Sequence, residues 1–324
     1  MEASESRHID TSLLVHLVEQ VQDQIGKIIV GQQSMVEFLL AGLLADGHIL
    51  IEGVPGVAKT LTAKLLAKLV DARFSRLQFT PDLMPSDVLG TSVFNPQSAT
   101  FQFKPGPIFA NMVLIDEINR APAKTQAALF EVMEEKQVTI DGQSHRMAPP
   151  FMVIATQNPI EHEGTYRLPE AQLDRFLLKI VVGYPSLEEE VKILEMHNRE
   201  RIIDLLQEIK PVITTEVLAN ARQIIRQIHI DPKLVSFIAR LIWETRNDGA
   251  LYLGASPRAS IALLQVSKAM SVLQGRNFVI PEDILRCAPA VLRHRISLTP
   301  EKEMEGATPD DVLKDIIARM EIPR

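Results

Sequence analysis

The stretch ILIEGVPGVAKT, residues 49–60, determines the fold that the sequence predicts. Its leading apolar residues predict a buried strand, and the glycine-rich turn after them leads into a helical pattern of leucines. A strand, a glycine-rich turn and a helix in this order can bind phosphate, because the N–H groups of the turn and the helix N-terminus point at the same anion. The predicted nucleotide contacts are Val54, Pro55, Gly56, Val57, Ala58, Lys59, Thr60 and Leu61.

Two side chains at the start of the predicted helix supply chemistry that the backbone lacks. Lys59 would reach the outer phosphates of a nucleoside triphosphate, and the hydroxyl of Thr60 would ligate Mg²⁺. Ala58 stands where loops of this type usually carry a glycine. We expect helical dihedral angles at Ala58, where a methyl group is tolerated. The alternative is a glycine-rich turn between a strand and a helix that binds no nucleotide.

The segment NMVLIDE, residues 111–117, ends in two carboxylates. A buried parallel strand would carry Asp116 and Glu117 to the carboxyl edge of the sheet, where open α/β sheets bind their ligands. Asp116 would hold Mg²⁺, and Glu117 would activate a water for attack on the γ-phosphate. An acidic pair after a strand is often only a helix cap. Its position downstream of a phosphate-binding loop favours the catalytic interpretation.

Further polar side chains follow later predicted strands. Asn158 comes after the apolar run 151–156 and would orient the attacking water or contact the γ-phosphate, although an Asn-Pro turn is the alternative. Arg167 and Arg175 precede another apolar run, and the planar guanidinium suits phosphate. Sequence position alone does not distinguish these two arginines. Arg258 lies in the first turn of a predicted helix, where a cation opposes the helix dipole unless a phosphate faces it.

Composition restricts the protein class. The chain has 324 residues, 46% hydrophobic and 23% charged, which is typical of a soluble protein of two domains. A net charge of -7 argues against a nucleic-acid binder that relies on a large basic surface. The single cysteine, Cys287, excludes an intramolecular disulfide, and we interpret it as a small buried hydrophobe. No apolar run is long enough to span a membrane, so we expect a cytoplasmic protein.

The pattern of elements predicts an α/β core followed by a helical domain. Residues 80–96 contain three prolines and predict a short helix around Met84–Leu89, followed by a hairpin-like pair through Phe94 and Phe101–Phe103. A second hairpin is predicted to turn at Asp141–Gly142. From Pro185 onward five helical patterns follow without a strand. We therefore place a nucleotide-binding domain at residues 1–184 and an all-α domain at residues 185–324. Trp243 lies on an apolar helix face and is predicted to be in the core. The eight histidines show no metal-ligand spacing, so Mg²⁺ is the metal we expect.

The motifs taken together resemble the AAA+ superfamily of ATPases and, within it, the MoxR family of the helix-2-insert branch. Several long segments agree with that family in order and spacing over nearly the whole chain. They are GVPGVAKT (53–60), QFTPDLMPSDVLG (78–90), FKPGPIFANMVLIDEINRAPAKTQAALFEVMEE (103–135), ATQNP (155–159) and LPEAQLDRF (168–176).

The resemblance implies a fold and a set of roles. The fold would be a P-loop AAA+ core, a parallel five-stranded sheet flanked by helices, followed by a smaller helical lid. Lys59 and Thr60 would belong to the Walker A motif, and Asp116 and Glu117 to the Walker B motif. Asn158 would be sensor 1.

Other positions take roles from the same resemblance. Arg175 would be the arginine finger that a neighbouring subunit supplies, and Arg258 would be sensor 2 in the lid. Ile29, Val30 and Gly31 would close over the adenine, although as plain sequence they form a hydrophobic staple at a helix start.

The family also implies partners. Its members are similar in forming rings, usually hexamers, with nucleotide sites between subunits. They act as chaperones on client proteins, often proteins with a von Willebrand factor A domain. The leading hypothesis is therefore an Mg²⁺-dependent ATPase that remodels a protein client. The alternatives are a nucleotide-gated scaffold with little turnover and a chelatase-type motor subunit, while nucleic acid is not an expected partner.

Overall fold

The computed structural model describes residues 12–158, 166, 168–199 and 202–323. They divide into two compact units. One is formed by Gln22–Glu216, and the other by the described parts of Met1–Val21 and Val217–Arg324. The unit boundaries fall inside helices, whereas the domain boundary expected at residues 184/185 stays a prediction.

The core unit alternates strands and helices. Its elements are α1 (Ser12–Gly26, shared with the other unit), α2 (Gln33–Leu44), β1 (His48–Gly53), α3 (Lys59–Leu69), β2 (Phe74–Gln78), α4 (Pro85–Leu89), β3 (Gly90–Asn95), β4 (Thr100–Pro105), β5 (Met112–Asp116), α5 (Ala123–Glu135), β6 (Gln137–Ile140), β7 (Gln143–Arg146), β8 (Met152–Gln157), α6 (Glu170–Leu173), β9 (Phe176–Val182), α7 (Leu187–Arg199) and α8 (Ile202–Glu208).

Five strands form a parallel sheet in the order β2-β5-β8-β1-β9. The central strands are nearly continuous apolar runs, as expected for strands buried on both faces. Leu50 points into one apolar layer with residues of α5, and Ile49 points into the other layer beside α2. Because all five strands run the same way, their carboxyl ends meet at one edge of the sheet, and the chain turns from β1 into α3 there.

Two hairpins extend from this core. Strands β3 and β4 pair antiparallel, and so do β6 and β7. The hydroxyl of Ser92 donates a hydrogen bond to Asp141 at the tip of the second hairpin. Phe103 stacks on His145 with ring centroids 4.2 Å apart. The two hairpins predicted from turn residues and alternation are therefore confirmed, and they contact each other.

The second unit is mainly helical. Its elements are α9 (Thr215–Gln227, shared with the core unit), α10 (Pro232–Asn247), β10 (Leu251–Leu253), α11 (Pro257–Leu273), α12 (Pro281–Leu292), β11 (Ser297–Leu298), α13 (Pro300–Met304) and α14 (Pro309–Arg319). The short antiparallel pair of β10 and β11 was not expected. It joins a turn after α10 to the segment after α12, and strands this short carry no periodic signal.

One core prediction fails in this unit, and one is confirmed. Trp243 is 56% exposed, because it lies on the side of α10 opposite the buried residues Leu241 and Ile242. Cys287 is fully buried in α12, and burial raises the pKa of its thiol. The predicted small hydrophobe is therefore correct for Cys287, whereas the predicted core position of Trp243 is wrong.

Candidate functional site

The turn between β1 and α3 is the loop that the sequence predicts to bind phosphate. Val54–Ala58 form the turn, and Lys59, Thr60 and Leu61 begin α3. A Cβ on Gly53 would lie 2.6 Å from the carbonyl oxygen of Val182, so the strand pairing requires glycine here. Gly56 has a φ of +86°, a left-handed conformation that glycine adopts without strain. The backbone is thus built for a tight turn ahead of a helix N-terminus.

Ala58 departs from its predicted geometry. Its φ is +60° and its ψ is 18°, so it is left-handed and not helical. This conformation costs an L-residue about 1–2 kcal/mol, because its Cβ approaches the following carbonyl oxygen. The expectation that Ala58 has helical dihedral angles is therefore wrong, and the alanine occupies a strained position in the loop.

Thr60 and Asp116 lie together, as the sequence predicts for two metal ligands. The hydroxyl of Thr60 donates to Asp116 Oδ1 over 3.3 Å, although the two residues are far apart in the chain. Asp116 is the last residue of β5, and its side chain is only 9% exposed. Lys59 Nζ donates to the carbonyl of Gly53 at 2.5 Å, which keeps the ammonium group against the loop.

Both oxygens of the Asp116 carboxylate are engaged. Oδ1 accepts a second hydrogen bond from the hydroxyl of Thr156 at 3.2 Å. Oδ2 accepts from Arg76 Nε at 2.7 Å, and Arg76 lies on the neighbouring strand β2. The carboxylate is therefore fixed with Oδ1 toward Thr60 and Oδ2 toward a guanidinium group.

Glu117 follows directly and leaves the line of the strand. Its φ of 57° and ψ of 52° are left-handed, and a short 3₁₀ helix, Ile118–Arg120, begins directly after it. Its N–H donates to the hydroxyl of Thr156 at 3.1 Å. Glu117 Oε2 accepts from Gln78 Nε2 at 2.8 Å and pairs with Arg120 Nε at 3.0 Å. One hydrogen bond and one ion pair therefore hold the oxygen of the predicted base.

Two further predicted positions lie at the same edge of the sheet. Asn158 is buried directly after β8, next to the strand that carries Asp116. Ile29–Gly31 precede α2, and the adjacent Gln32 donates to the carbonyl of Gly183 at 3.1 Å. Gly183 follows the residue that pairs with Gly53. The segment predicted to cover the adenine therefore lies beside the end of the phosphate-loop strand.

Arg175 lies at the opposite edge of the sheet, where the parallel strands begin. It precedes β9, whose first residue Phe176 pairs with His48 at the start of β1. The loop after Gly53 is thus about 17 Å away along the strand. Arg175 pairs with Glu134 at 3.4 Å. Arg175 does not share an edge with the phosphate loop of its own chain, and Arg167 lies outside the described residues.

Arg258 belongs to the other unit, in the first turn of α11. Ser256 is the N-cap residue and Pro257 occupies the first helical position, as the sequence predicts. The Arg258 side chain is exposed. Its predicted contact with a nucleotide stays a prediction.

The donor set at Thr60 and Asp116 fits Mg²⁺. Both supply hard oxygen ligands, and magnesium sites in nucleotide enzymes use few protein ligands because phosphates and water complete the octahedron. Within the described ranges there is no cluster of three or more His, Cys, Asp or Glu side chains that could hold another metal. Every helix among the described residues is too short or too polar to span a lipid bilayer.

The sequence interpretation missed four residues around the two carboxylates: Arg76, Gln78, Arg120 and Thr156. Arg76 and Gln78 alternate with Leu77 on a short strand, and polar residues on an edge strand usually face solvent. Thr156 ends an apolar run, where threonine is a common strand residue. Their position near the ends of predicted strands could have identified Arg76, Gln78 and Thr156, because every strand of a parallel sheet ends at the edge where ligands bind.

Comparisons with known proteins agree with this geometry. Residues 48–178 match the family model described as "ATPase family associated with various cellular activities (AAA)", and residues 244–316 match the "AAA lid domain". The chain is 43% identical to Chaperone MoxR1 of Mycobacterium tuberculosis, over 96% of this chain and 83% of that one. It is 28% identical to Protein MoxR of Methylorubrum extorquens, over 91% and 90% of the two chains. A crystal structure from Cytophaga hutchinsonii, assigned as an ATPase, superimposes with a TM-score of 0.89 at 41% identity and covers 97% of each chain.

Proposed function

The chain belongs to the MoxR-type AAA+ ATPases, and from this premise we propose that it hydrolyses ATP in a ring-shaped assembly to remodel a client protein. The observation that carries the proposal is the 3.3 Å contact between Thr60 and Asp116, with Glu117 next in the chain. That contact joins a phosphate loop to a carboxylate pair at one edge of the sheet. An ATPase needs this combination, and a strand–helix turn without a ligand does not.

The nucleotide would lie along the turn Val54–Ala58, with its phosphates facing the N-terminus of α3. Lys59 would turn from the carbonyl of Gly53 to the β- and γ-phosphates, and Ile29–Gly31 would cover the adenine. Thr60 and Asp116 would hold Mg²⁺, which when bound neutralises phosphate charge. The proposed contacts use groups that already lie at the loop, so little rearrangement of the backbone is required.

Glu117 would accept a proton from the attacking water as the water adds to the γ-phosphorus and the bond to the β-phosphate oxygen breaks. Asn158 would orient the same water from the end of the adjacent strand. For Glu117 to act, Oε2 has to exchange at least one of its present partners, the amide of Gln78 or the guanidinium of Arg120, for that water. Hydrolysis would therefore include a local change at these side chains.

Arg175 would complete the site of the neighbouring subunit. Its position about 17 Å from the phosphate loop of its own chain supports action between subunits. Arg258 would respond to the γ-phosphate from the lid and couple hydrolysis to lid movement. We propose a homo-oligomeric, hexameric and cytoplasmic assembly. Its client would be a protein, such as one with a von Willebrand factor A domain, and not a nucleic acid.

Steady-state phosphate release tests the enzymatic part of the proposal. We expect Mg²⁺-dependent release of phosphate from ATP, and negligible turnover would instead favour the nucleotide-gated scaffold. The client part is tested with Glu117→Gln, which should stay in the ATP state and retain the client in a pull-down. Lys59→Ala, which should not bind ATP, is the matched control.

A further inference from the structure

Helix α7 carries an exposed apolar stripe. Leu187 is 74% exposed, Leu194 is 66% exposed and Val191 lies between them. The spacing i, i+4, i+7 puts these three side chains on one face of the helix. The opposite side, with Ile193 and Met196, is only partly exposed. An apolar stripe of this kind on an otherwise polar helix indicates a contact surface.

Acidic side chains flank the α7 stripe. Glu188 and Glu195 are exposed and lie on one side of it, seven residues apart, or about 10 Å along the axis. Glu190 is exposed on the other side. Lys192 is also exposed and lies between Glu188 and Glu195 on the same side, so this border carries two negative charges and one positive charge. The surface is therefore an apolar strip whose borders are acidic in net charge, and its partner should be apolar with a basic border.

Helix α10 carries a surface of that description. Val235, Ala239 and Trp243 are exposed at spacing i, i+4, i+8. Lys233 and Arg240 are exposed along one side of this stripe, again seven residues apart, and the partly exposed Glu244 follows one turn later on that side. The two helices thus offer opposite charges at the same spacing beside apolar stripes of similar length.

The basic border of α10 faces an open groove that the carboxylates of a partner helix could enter. Lys233 and Arg240 line an open groove of about 1130 Å³, whose other wall includes Met320–Pro323. Glu282 and Glu321 also line this groove, so the pairing should be sensitive to salt.

We propose that α7 of one copy of this chain docks antiparallel on α10 of a second copy. With the helices face to face and antiparallel, the charged borders fall on the same side. The register that aligns them pairs Leu187 with Trp243, Val191 with Ala239, Leu194 with Val235, Glu188 with Arg240 and Glu195 with Lys233. The small side chain of Ala239 lies at the centre, where the two helix axes approach most closely.

This contact joins two different surfaces, so after the first pairing one copy still offers its α10 and the other copy still offers its α7. A head-to-tail interface of this kind closes into a ring when its rotation allows. The inference therefore rests on the proposed ring assembly and names the helices that hold neighbouring subunits together.

The sole tryptophan of the chain makes the contact measurable. Trp243 is exposed in the single chain, so its emission maximum should move to shorter wavelength as the protein concentration rises in the presence of Mg²⁺ and ATP. Light scattering on the same samples reports assembly. Assembly without any shift of the emission maximum would overturn the proposed contact between α7 and α10, whereas the proposal of a ring assembly would be unaffected. Absence of assembly at every concentration would overturn both, and calorimetric titration of ATP would still test the nucleotide site separately.

Charge reversal tests the register. Arg240→Glu should raise the protein concentration needed for assembly about tenfold. A change of this order is expected when an attractive charge pair becomes repulsive. Adding Glu188→Arg should restore assembly, whereas Lys314→Glu, an exposed reversal on α14, should have no effect. Failure of the double variant to recover assembly, with its ATP binding and melting temperature intact, would contradict the pairing.

Cross-linking distinguishes a second copy from the same chain. Tagged Leu187→Cys mixed with untagged Trp243→Cys should form a disulfide between chains, because Cys287 is buried and contributes little background. Leu187→Cys mixed with Tyr252→Cys, an exposed position on β10, is the matched control. A cross-link that forms only when both cysteines are in one chain would exclude the second copy as the occupant.

Discussion

Gln78 donates a hydrogen bond from Nε2 to Glu117 Oε2 over 2.8 Å, and so the last residue of β2 holds the carboxylate proposed as the catalytic base. Arg120 pairs with the same oxygen at 3.0 Å. The hydrogen bond from Gln78 and the ion pair with Arg120 both occupy Oε2, so this oxygen has to release a partner before it can contact the attacking water. The chain beyond Gln78 leads into α4 and the β3–β4 hairpin, which links the base to a segment outside the sheet.

Replacing Gln78 should therefore change basal turnover. We expect Gln78→Ala to raise basal ATP hydrolysis by about two- to fivefold, because one donor to Glu117 is lost and a charged-group hydrogen bond is worth about 1.5–3 kcal/mol at most. Phosphate release measures the change, and Gln143→Ala, an exposed glutamine on β7, is the control. A fall in turnover would mean that Gln78 orients Glu117 for catalysis and does not restrain it.

Arg76 should control the affinity of the site for a free metal ion. Its guanidinium group lies 2.7 Å from Asp116 Oδ2, so it repels a divalent cation near Oδ1. Arg76→Gln should bind Mn²⁺, used as a spin probe in place of Mg²⁺, about tenfold more tightly in the absence of nucleotide. Electron paramagnetic resonance measures the free ion. Arg76→Lys and Arg73→Gln should both behave like the parent protein, and a tighter Arg73→Gln would refute the local origin of the effect.

The left-handed Ala58 should limit the stability of the phosphate loop. Ala58→Gly should raise the free energy of unfolding by about 0.5–1 kcal/mol, because relief of the strain exceeds the extra chain entropy of glycine. Chemical denaturation measures the change. Ala127→Gly, at an exposed helical position of α5, should have the opposite sign and lower the same quantity by about 1 kcal/mol. An equal loss of unfolding free energy in both variants would show that the strain at Ala58 is not present in solution.

Arg175 should act on the nucleotide of a neighbouring subunit. Arg175→Ala should keep its affinity for ATP and lose turnover by about 10³-fold, the usual contribution of an arginine finger. Lys59→Ala should lose ATP binding. Mixing equal amounts of the two inactive variants should restore roughly a quarter of the activity. About one site in four then combines an intact phosphate loop in one subunit with an intact Arg175 from its neighbour. A mixture as inactive as its components would place the action of Arg175 within its own chain.

Most of the core could be predicted because its signals are local. The apolar runs that end in Gly53, Asp116 and Thr156 predicted buried strands, and the turn residues Asp141–Gly142 predicted a hairpin. The meeting of Thr60 and Asp116 followed from one rule, that parallel strands end at one edge.

What failed depends on tertiary environment. The dihedral angles of Ala58 are set by the closure of the loop, and its side chain gives no hint of them. Trp243 shares a helix with many buried residues, and which face meets the core is decided by packing between helices. Arg76 and Gln78 acquire their partners only through the pairing of β2 with β5.

The central claim is that the loop Gly53–Thr60 binds ATP and that Glu117 promotes its hydrolysis. Calorimetric titration of ATP with Mg²⁺ into Glu117→Gln, combined with phosphate release from the same sample, tests it most directly. We predict binding within about threefold of the parent protein and turnover reduced by about 10²–10⁴-fold, while Glu131→Gln, an exposed glutamate on α5, changes neither. Near-normal turnover by Glu117→Gln, or no ATP binding by the folded parent protein, would contradict the account.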